Sequence, residues 1–308
     1  MNVSVVIPVY NAEKSIESLV AEIHRVMGDI GHEIVLVNDG SRDRTESICE
    51  RLAGQDKRIR FISLRRNFGE HNAVLCGLNF AAGDVSVIID DDFQNPPSEI
   101  PKLLREMDQG HDVVYSRYDE KRHSPFRNLG SAVNDWFATR LLAKPKDLYL
   151  SSFKAIRGDL VKEIIQYKGP FPYIDGLILR ATDRIGWVTV EHDERRVGRS
   201  NYTMGKLVSL YMNMFFNFSI RPLRMFTLAG CAIFVFGMVS SIAFVVEKLM
   251  HPQIAVGWTS LITAVLTLSG FQIMFLGLLG EYLGKQYLDQ NRTPQWVIKG
   301  KILNSADE

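Results

Sequence analysis

Short apolar runs alternate with amphipathic stretches over about the first 120 residues. The apolar runs are rich in β-branched side chains, which favour strands. They lie at 3–9, 34–37, 60–64, 85–89 and 113–115. Between them, apolar residues recur three and four positions apart, as on the buried face of a helix. These stretches are 15–27, 44–53 and 70–81. The alternation predicts an α/β fold with a mostly parallel sheet and helices on both faces.

Polar clusters follow four of the predicted strands at their carboxyl ends. The clusters are PVYN at 8–11, NDGS at 38–41, DDDFQ at 90–94 and SRY at 116–118. In open parallel sheets, ligands bind beyond the carboxyl ends of the strands. We therefore expect the four clusters to meet at one edge of the sheet and to form a ligand site.

Three adjacent aspartates stand at the end of the fourth predicted strand, at Asp90, Asp91 and Asp92. Their charges repel, and a bound cation would cancel that repulsion. Two carboxylates with the amide oxygen of Gln94 suit a hard divalent cation, Mg²⁺ or Mn²⁺, whereas zinc would require nearby His or Cys. The chain contains neither GxxxxGK[ST] nor GxGxxG, the usual phosphate-binding loops. The sequence therefore predicts a nucleoside diphosphate held through a metal ion.

The hydropathy pattern changes after Arg224. The segments 225–246 and 256–280 contain no charged residue, and each is long enough to cross a bilayer as a helix. Basic residues flank the pair while the short loop between holds one Lys, which predicts that both chain ends face the cytoplasm. The segment 204–224 is apolar and aromatic with basic ends, so we expect a helix in the membrane interface; a core helix is the alternative.

Composition and charge narrow the choice of partners. The formal net charge of the 308-residue chain is +1, which argues against nucleic-acid binding driven by bulk charge. The three cysteines form no CxxC pair, which disfavours both a disulfide framework and a zinc site. The N-terminus shows no secretory signal pattern. We therefore predict a domain in the reducing cytoplasm.

The ordered motifs VVIPVYN, VLVNDGS, RRNFGEHNAVLCGL, DDDFQNPP, SRY and RRVGRSNY resemble family 2 glycosyltransferases of the GT-A fold. More narrowly, the chain resembles polyprenyl-phosphate glycosyltransferases: dolichol-phosphate mannose synthase, bactoprenol glucosyltransferase and undecaprenyl-phosphate 4-deoxy-4-formamido-L-arabinose transferase. The membrane tail is most similar to the last two. Two positions depart from the family pattern: Ala12 stands at a usual Glu, and Asn201 at a usual Lys.

The resemblance implies roles for individual residues. Nucleotide-sugar binding is implied for Pro8, Tyr10, Asn11, Val37, Asp39, Asp91, Asp92 and Gln94. The implied metal ligands are Asp90, Asp92 and Gln94, with Asp90, Asp92, Arg117 and Arg195 in the catalytic set. Arg117, Arg127 and Arg195 are implied to bind the lipid phosphate. Two residues have roles that stay open. Asp175 either contacts the sugar or the acceptor, or is a turn residue. His71 either has a structural role or contacts the donor.

The resemblance also implies the reaction and its location. The enzyme would transfer a sugar, with inversion, from a nucleoside diphosphate-sugar, favoured as UDP-sugar, to undecaprenyl phosphate at the bacterial inner membrane. The expected organisation is a GT-A catalytic domain at 1–203, an interfacial helix at 204–224, spans at 225–246 and 256–280, and a cytoplasmic tail at 281–308. The expected partners are the donor, the lipid acceptor and membrane lipids, and the tail could mediate homo-oligomer assembly.

The sequence also allows two rival interpretations. The first is a processive family 2 synthase, which the absence of QxxRW and the small number of predicted spans disfavour. The second is a non-catalytic, membrane-anchored nucleotide-binding assembly protein. The retained acidic motif with Gln94 argues against the second.

Overall fold

The computed structural model describes residues 1–118, 148–191 and 257–303, with scattered positions between 228 and 251. The chain divides into two compact units. The first comprises Met1–Tyr211 and Arg292–Glu308, and the second Met212–Asn291. Each unit is described by itself.

The first unit is built on an eight-stranded sheet in the part of the chain that the structure describes. Its strands are β1 Val3–Val9, β2 His32–Asn38, β3 Ile59–Leu64, β4 Val85–Ile88, β5 Val113–Tyr118, β6 Lys154–Arg157, β7 Ile185–Val190 and β8 Ile298–Ile302. Their order across the sheet is β7-β5-β6-β4-β1-β2-β3-β8. Its helices are α1 Ile16–Met27, α2 Thr45–Gln55, α3 Glu70–Phe80, α4 Ile100–Met107, α5 Gly158–Ile164 and α6 Ile174–Ala181. A 3₁₀ turn, Pro97–Glu99, precedes α4.

The strand pairing confirms the predicted mostly parallel α/β sheet. β1 pairs in parallel with β2 and β4, β2 with β3, and β5 with β7. β6 is antiparallel to both β4 and β5, and β8 is antiparallel to β3. The predicted fourth and fifth strands are therefore not neighbours, because β6 lies between them. Since β4 and β5 still run in the same direction, their carboxyl ends share one edge with those of β1 and β2.

Packing on the sheet explains why these segments form these elements. The residues of α1 at helical spacing, Ile16, Leu19, Val20, Ile23 and Met27, are buried against the sheet. β3 is buried along its whole length, as expected for a strand covered on both faces. Gly77 of α3 has no side chain where a Cβ would lie 2.5 Å from the Val6 Cγ1 atom. The missing Cβ lets α3 lie close against the sheet, which positions the start of α3 near the carboxyl edge.

The C-terminal segment, expected as a cytoplasmic tail, contributes a strand to the sheet of the first unit. The segment 281–308 supplies β8, which pairs with β3 from Phe61↔Ile302 to Leu64↔Ile298. The Lys299 ammonium also contacts the Glu46 carboxylate at 2.9 Å. The polypeptide that leaves the first unit near residue 211 therefore returns to it at residue 292.

The second unit contains one long helix among its described residues, α7 Trp258–Gln290. Large apolar side chains on α7 are exposed, including Leu261, Val265, Ile273, Met274 and Leu276. Within the described residues, no helix combines the length and the hydropathy needed to cross a bilayer. The predicted interfacial helix at 204–224 lies outside the described residues, as does most of the predicted span at 225–246. The two spans therefore stay predictions.

Candidate active site

The predicted polar clusters meet at the carboxyl edge of β1, β2 and β4. Pro8 of β1 lies opposite Val37 of β2 in the strand register. One residue past β1, the Tyr10 backbone N–H donates to the Asp91 Oδ2 atom at 3.0 Å. This bond joins the loop after β1 to the acidic loop after β4. Two sequence clusters 81 residues apart therefore form one surface.

The loops after β1 and β2 are fixed to each other by backbone-to-side-chain bonds. Asn11 adopts a φ of +54°, a left-handed conformation that Asn tolerates better than most residues. Its Oδ1 atom accepts the Arg42 N–H at 2.8 Å, and its own N–H donates to the Ser41 hydroxyl at 3.0 Å. The Asn11 turn is thus preorganised at the end of β1.

Asp39 holds the loop that begins α3. Its carboxylate is buried and accepts the N–H groups of Phe68 at 2.7 Å and Gly69 at 2.9 Å. Burial raises the pKa of Asp39, while the two donated hydrogen bonds oppose that shift. The next residue, Gly40, has a φ of +68°, and a Cβ there would lie 2.5 Å from the Arg66 carbonyl carbon. These contacts set the direction in which α3 starts, and hence the positions of its first residues.

The acidic loop after β4 is cross-linked by short polar contacts. The Ser152 hydroxyl, just before β6, donates to the Asp90 Oδ2 atom at 2.6 Å. Within the loop, the Gln94 N–H donates to the Asp92 Oδ1 atom at 3.0 Å. Phe93 between them has a φ of +61°, which turns the chain sharply. The loop is therefore a fixed turn that carries its carboxylates at the sheet edge.

Among the described residues of this edge, the carboxylates outnumber the cations near them. Burial is the main cause that raises the pKa of Asp90 to about 7, and the negative charge of Glu70 is the second. The hydrogen bond from Ser152 lowers this pKa and so opposes both. Glu70 is exposed to solvent. Partial desolvation of its carboxylate by neighbouring protein atoms raises the pKa of Glu70, and the Lys154 charge opposes the rise. The edge therefore favours a cation.

A buried ion pair lies beside the acidic loop. The Lys154 ammonium and the Asp175 carboxylate are 4% and 10% exposed and contact each other through the Asp175 Oδ1 atom. The same oxygen accepts the Tyr115 hydroxyl at 2.9 Å, and the Lys154 ammonium lies 4.9 Å from the centre of the Tyr115 ring. Next to the pair, burial lowers the pKa of His71 to about 4. Three elements, β5, β6 and α6, thus converge on one carboxylate.

Of the three predicted phosphate-binding arginines, one lies among the described residues. Arg117 is exposed near the end of β5, and its guanidinium carbon lies 4.8 Å from the centre of the Trp187 ring, on the neighbouring strand β7. This stacking fixes the guanidinium plane near the same edge of the sheet. Arg127 and Arg195 lie outside the described residues.

Three polar residues of the site were missed by sequence reasoning. Lys154 belongs to β6, a short strand that the periodicity did not reveal, and Ser152 lies just before that strand. Glu70 lay inside a predicted helix and carried no motif of its own, although its place beside a Gly with positive φ marks a helix start in the structure. Asp175, whose role the sequence left open, is one partner of the buried pair, and His71 lies next to that pair.

The donor atoms at the edge fit a divalent cation. Among the described residues, no group of three or more His, Cys, Asp or Glu side chains is arranged to hold a metal ion. The predicted set is of another kind, since Asp90 and Asp92 supply carboxylate oxygens and Gln94 an amide oxygen. Such hard oxygen ligands suit Mg²⁺ or Mn²⁺, which complete their coordination with phosphate oxygens and water. The unbalanced negative charge around Asp90 is consistent with that fit.

Comparison with known proteins agrees with the fold and the motifs. Residues 4–164 match the family model of glycosyl transferase family 2, and residues 221–285 match a model described as the GtrB C-terminal hairpin. The undecaprenyl-phosphate 4-deoxy-4-formamido-L-arabinose transferase of Edwardsiella ictaluri is 32% identical over 99% of this chain and 96% of its own length. The protein of the same name from Proteus mirabilis is 32% identical over 96% and 93%, respectively.

A solved structure shares the fold. Glucosyl-3-phosphoglycerate synthase from Mycobacterium tuberculosis, crystallised with Mn²⁺, UDP and phosphoglyceric acid, superposes with a TM-score of 0.53 and 22% identity. The superposition covers 70% of this chain and 76% of that one. At this level of identity the likeness shows the GT-A fold.

The mostly parallel sheet with an acidic loop at its carboxyl edge therefore defines an α/β glycosyltransferase domain of the GT-A type. The chain belongs to glycosyltransferase family 2.

Proposed function

We propose that this glycosyltransferase moves a sugar from a nucleoside diphosphate-sugar, UDP being the favoured nucleotide, to undecaprenyl phosphate. The principal support is the near full-length similarity to transferases whose names specify that lipid phosphate. The likeness to a synthase crystallised with UDP and Mn²⁺ supports the choice of nucleotide.

The nucleoside is proposed to bind at the β1 and β2 end of the edge. Pro8, Tyr10, Asn11, Val37 and Asp39 line this end, and several are already fixed by loop contacts. A binding surface that is ordered before the ligand arrives costs less conformational entropy on binding. The diphosphate then lies toward the acidic loop after β4, where Asp91 connects the two regions.

A divalent cation is proposed to bind at Asp90, Asp92 and Gln94. When bound, such a cation acts as a Lewis acid for the leaving diphosphate. Two hydrogen bonds fix the carboxylates that would hold the cation. The Ser152 hydroxyl donates to one oxygen of Asp90, and the Gln94 N–H donates to one oxygen of Asp92. In the metal-free protein, the same carboxylates repel one another.

The proposed chemistry needs positioning more than proton transfer. A phosphate monoester has a second pKa near ~6 and is therefore largely dianionic at neutral pH. One of its oxygens attacks the anomeric carbon, a new carbon–oxygen bond forms, and the bond to the donor phosphate breaks with inversion. Arg117, stacked on Trp187, is suited to orient the acceptor phosphate through a planar pair of N–H donors. Arg127 and Arg195 are proposed for the same phosphate.

Membrane attachment is proposed for the segment between the two parts of the first unit. Segments 225–246 and 256–280 lack charge, and residues 221–285 match a C-terminal hairpin model. Because the chain rejoins its starting unit at Arg292, any crossings of a bilayer must be even in number. This return supports a two-span hairpin with the catalytic unit and both chain ends on the cytoplasmic side, and 204–224 at the interface.

A transfer assay tests the proposal. The full chain in detergent is incubated with Mn²⁺, undecaprenyl phosphate and one member of a panel of radiolabelled UDP- and GDP-sugars, and the lipid product is separated by thin-layer chromatography. We expect a labelled lipid with at least one UDP-sugar. If no donor in the panel labels the lipid, while free UDP still binds, the acceptor assignment is wrong.

A further inference from the structure

We infer that Asp175 is a residue that selects the donor sugar, and that Lys154 is the positioning residue that holds it. The Asp175 Oδ2 atom would accept a hydrogen bond from a hydroxyl or amide N–H of the sugar. This inference rests on the proposed function, since it requires a nucleoside diphosphate-sugar at the edge of the sheet.

The first support is the uneven use of the two Asp175 oxygens. Oδ1 takes both donors, the Lys154 ammonium and the Tyr115 hydroxyl. Oδ2 receives no hydrogen bond from any residue that the structure describes, although the side chain is only 10% exposed. Oδ2 is not one of the fully buried side-chain atoms that lack a partner among the described residues, so solvent reaches it and a ligand can donate to it in place of water. A ligand that donates to Oδ2 would complete the set.

The second support is the order of the strands along the edge. From β2 through β1 to β4, the structure places in sequence Asp39, Tyr10 and the Asp90 loop. A nucleoside on β1 and β2, with its diphosphate at β4, leaves the sugar on the far side of β4. The next strands in that direction are β6 and β5, and these carry Lys154 and Tyr115. Asp175 is therefore on the side where the sugar must lie.

The third support is the way in which the carboxylate is fixed. Two donors from different strands hold one oxygen, and Ser152, which precedes β6 by two residues, donates to Asp90. The entry to β6 thus sets the distance between the metal-binding loop and Asp175. A polar group fixed in this way recognises a matching group more strictly than a mobile one, because it cannot turn aside to satisfy itself elsewhere.

The experiment measures binding of UDP and of UDP-sugars separately. Calorimetric titrations with Mn²⁺ present use the full chain in detergent, with UDP, UDP-glucose and UDP-N-acetylglucosamine as probes. The ratio of the Kd for UDP to the Kd for the tightest sugar nucleotide isolates the contribution of the sugar. The main variant is Lys154→Met/Asp175→Leu, which removes both charges and keeps similar volume. Asp175→Asn is the second variant, in case the first does not fold.

A matched control exists at the opposite end of the sheet. Arg60 and Glu33 form a partly buried ion pair, with 2.8 Å between the Arg60 Nε and a Glu33 carboxylate oxygen, near the starts of β3 and β2. Arg60→Met/Glu33→Leu therefore removes a comparable pair far from the candidate site. It should leave both dissociation constants unchanged.

We expect the main variant to lower the ratio by about 10- to 100-fold, as for a lost hydrogen bond to a charged group, with the Kd for UDP unchanged. Asp175→Asn should lower it by a smaller factor. An unchanged ratio in folded variants, or a wild-type protein that binds no UDP-sugar more tightly than UDP, would overturn the inference. Sugar-dependent binding without transfer to undecaprenyl phosphate would instead contradict only the proposed acceptor.

Discussion

His71 offers a sharp test of the environment beside the buried ion pair. Its ring meets the edge of Tyr173, with ring centres 5.1 Å apart, and burial lowers its pKa to about 4. The nearby Asp175 carboxylate opposes this shift, whereas the Lys154 ammonium adds to it. The folded protein therefore favours the neutral imidazole.

The sign of the pH effect follows from the two states. Above pH ~6.5, the imidazole is neutral in both the folded and the unfolded chain, so it has no effect on stability. Between pH ~6.5 and 4, only the unfolded chain gains the proton, and the free energy of unfolding falls as the pH falls. The imidazole pKa is 6.5 in the unfolded chain and about 4 in the folded protein. This difference lowers the free energy of unfolding by about 3 kcal/mol at pH 4 relative to pH 8.

The substitution that isolates this effect is His71→Gln, which retains a polar side chain of similar length but does not titrate. Urea unfolding of both proteins is followed by tryptophan fluorescence at pH 8, 6, 5 and 4 in one detergent. Other groups that titrate in this range, such as His24 with its lowered pKa, cancel in the difference. The variant should gain about 3 kcal/mol relative to wild type between pH 8 and 4. A difference that does not change with pH would refute the reasoning.

Three further comparisons test the packing of the site by urea denaturation. Lys154→Met alone leaves the buried Asp175 carboxylate without its cation and should cost about 3–5 kcal/mol, whereas adding Asp175→Leu should restore most of that loss; additive losses would show that the pair is not coupled. Asp39→Ala removes the acceptor of two backbone N–H groups and should cost about 1–3 kcal/mol; a neutral effect would mean that water replaces the carboxylate. Gly40→Ala puts a Cβ against a neighbouring loop at a φ of +68° and should cost more than about 1 kcal/mol; wild-type stability would show that the two loops separate easily.

The periodicity of the chain predicted the first half of the sheet well. β1 spans Val3–Val9, as predicted, and α1 and α3 lie within a residue of their predicted limits. These segments have one strong pattern each, because the strands are buried on both faces and the helices on one. The location of the ligand edge followed from the same pattern, since polar residues begin where the apolar runs end.

Long-range pairing could not be derived from local pattern. β6 has only four residues, and nothing in its own sequence indicates that it enters the sheet antiparallel between β4 and β5. Ser152 and Lys154 reach the site only because of this insertion. β8 likewise joins the sheet after the chain has passed through the second unit. Such contacts depend on partners far away in sequence, so the local periodicity of hydrophobic residues cannot predict them.

The role of the acidic loop can be measured in one transfer reaction. Wild-type protein, Asp92→Ala and the control Arg60→Met/Glu33→Leu are compared in detergent with Mn²⁺, undecaprenyl phosphate and the radiolabelled UDP-sugar that wild type uses best. Labelled lipid should form at similar rates with wild type and the control, and at least ~100-fold more slowly with Asp92→Ala, since a metal-binding carboxylate is worth several kcal/mol in the transition state. Full transfer by a folded Asp92→Ala protein would contradict a catalytic function for this loop.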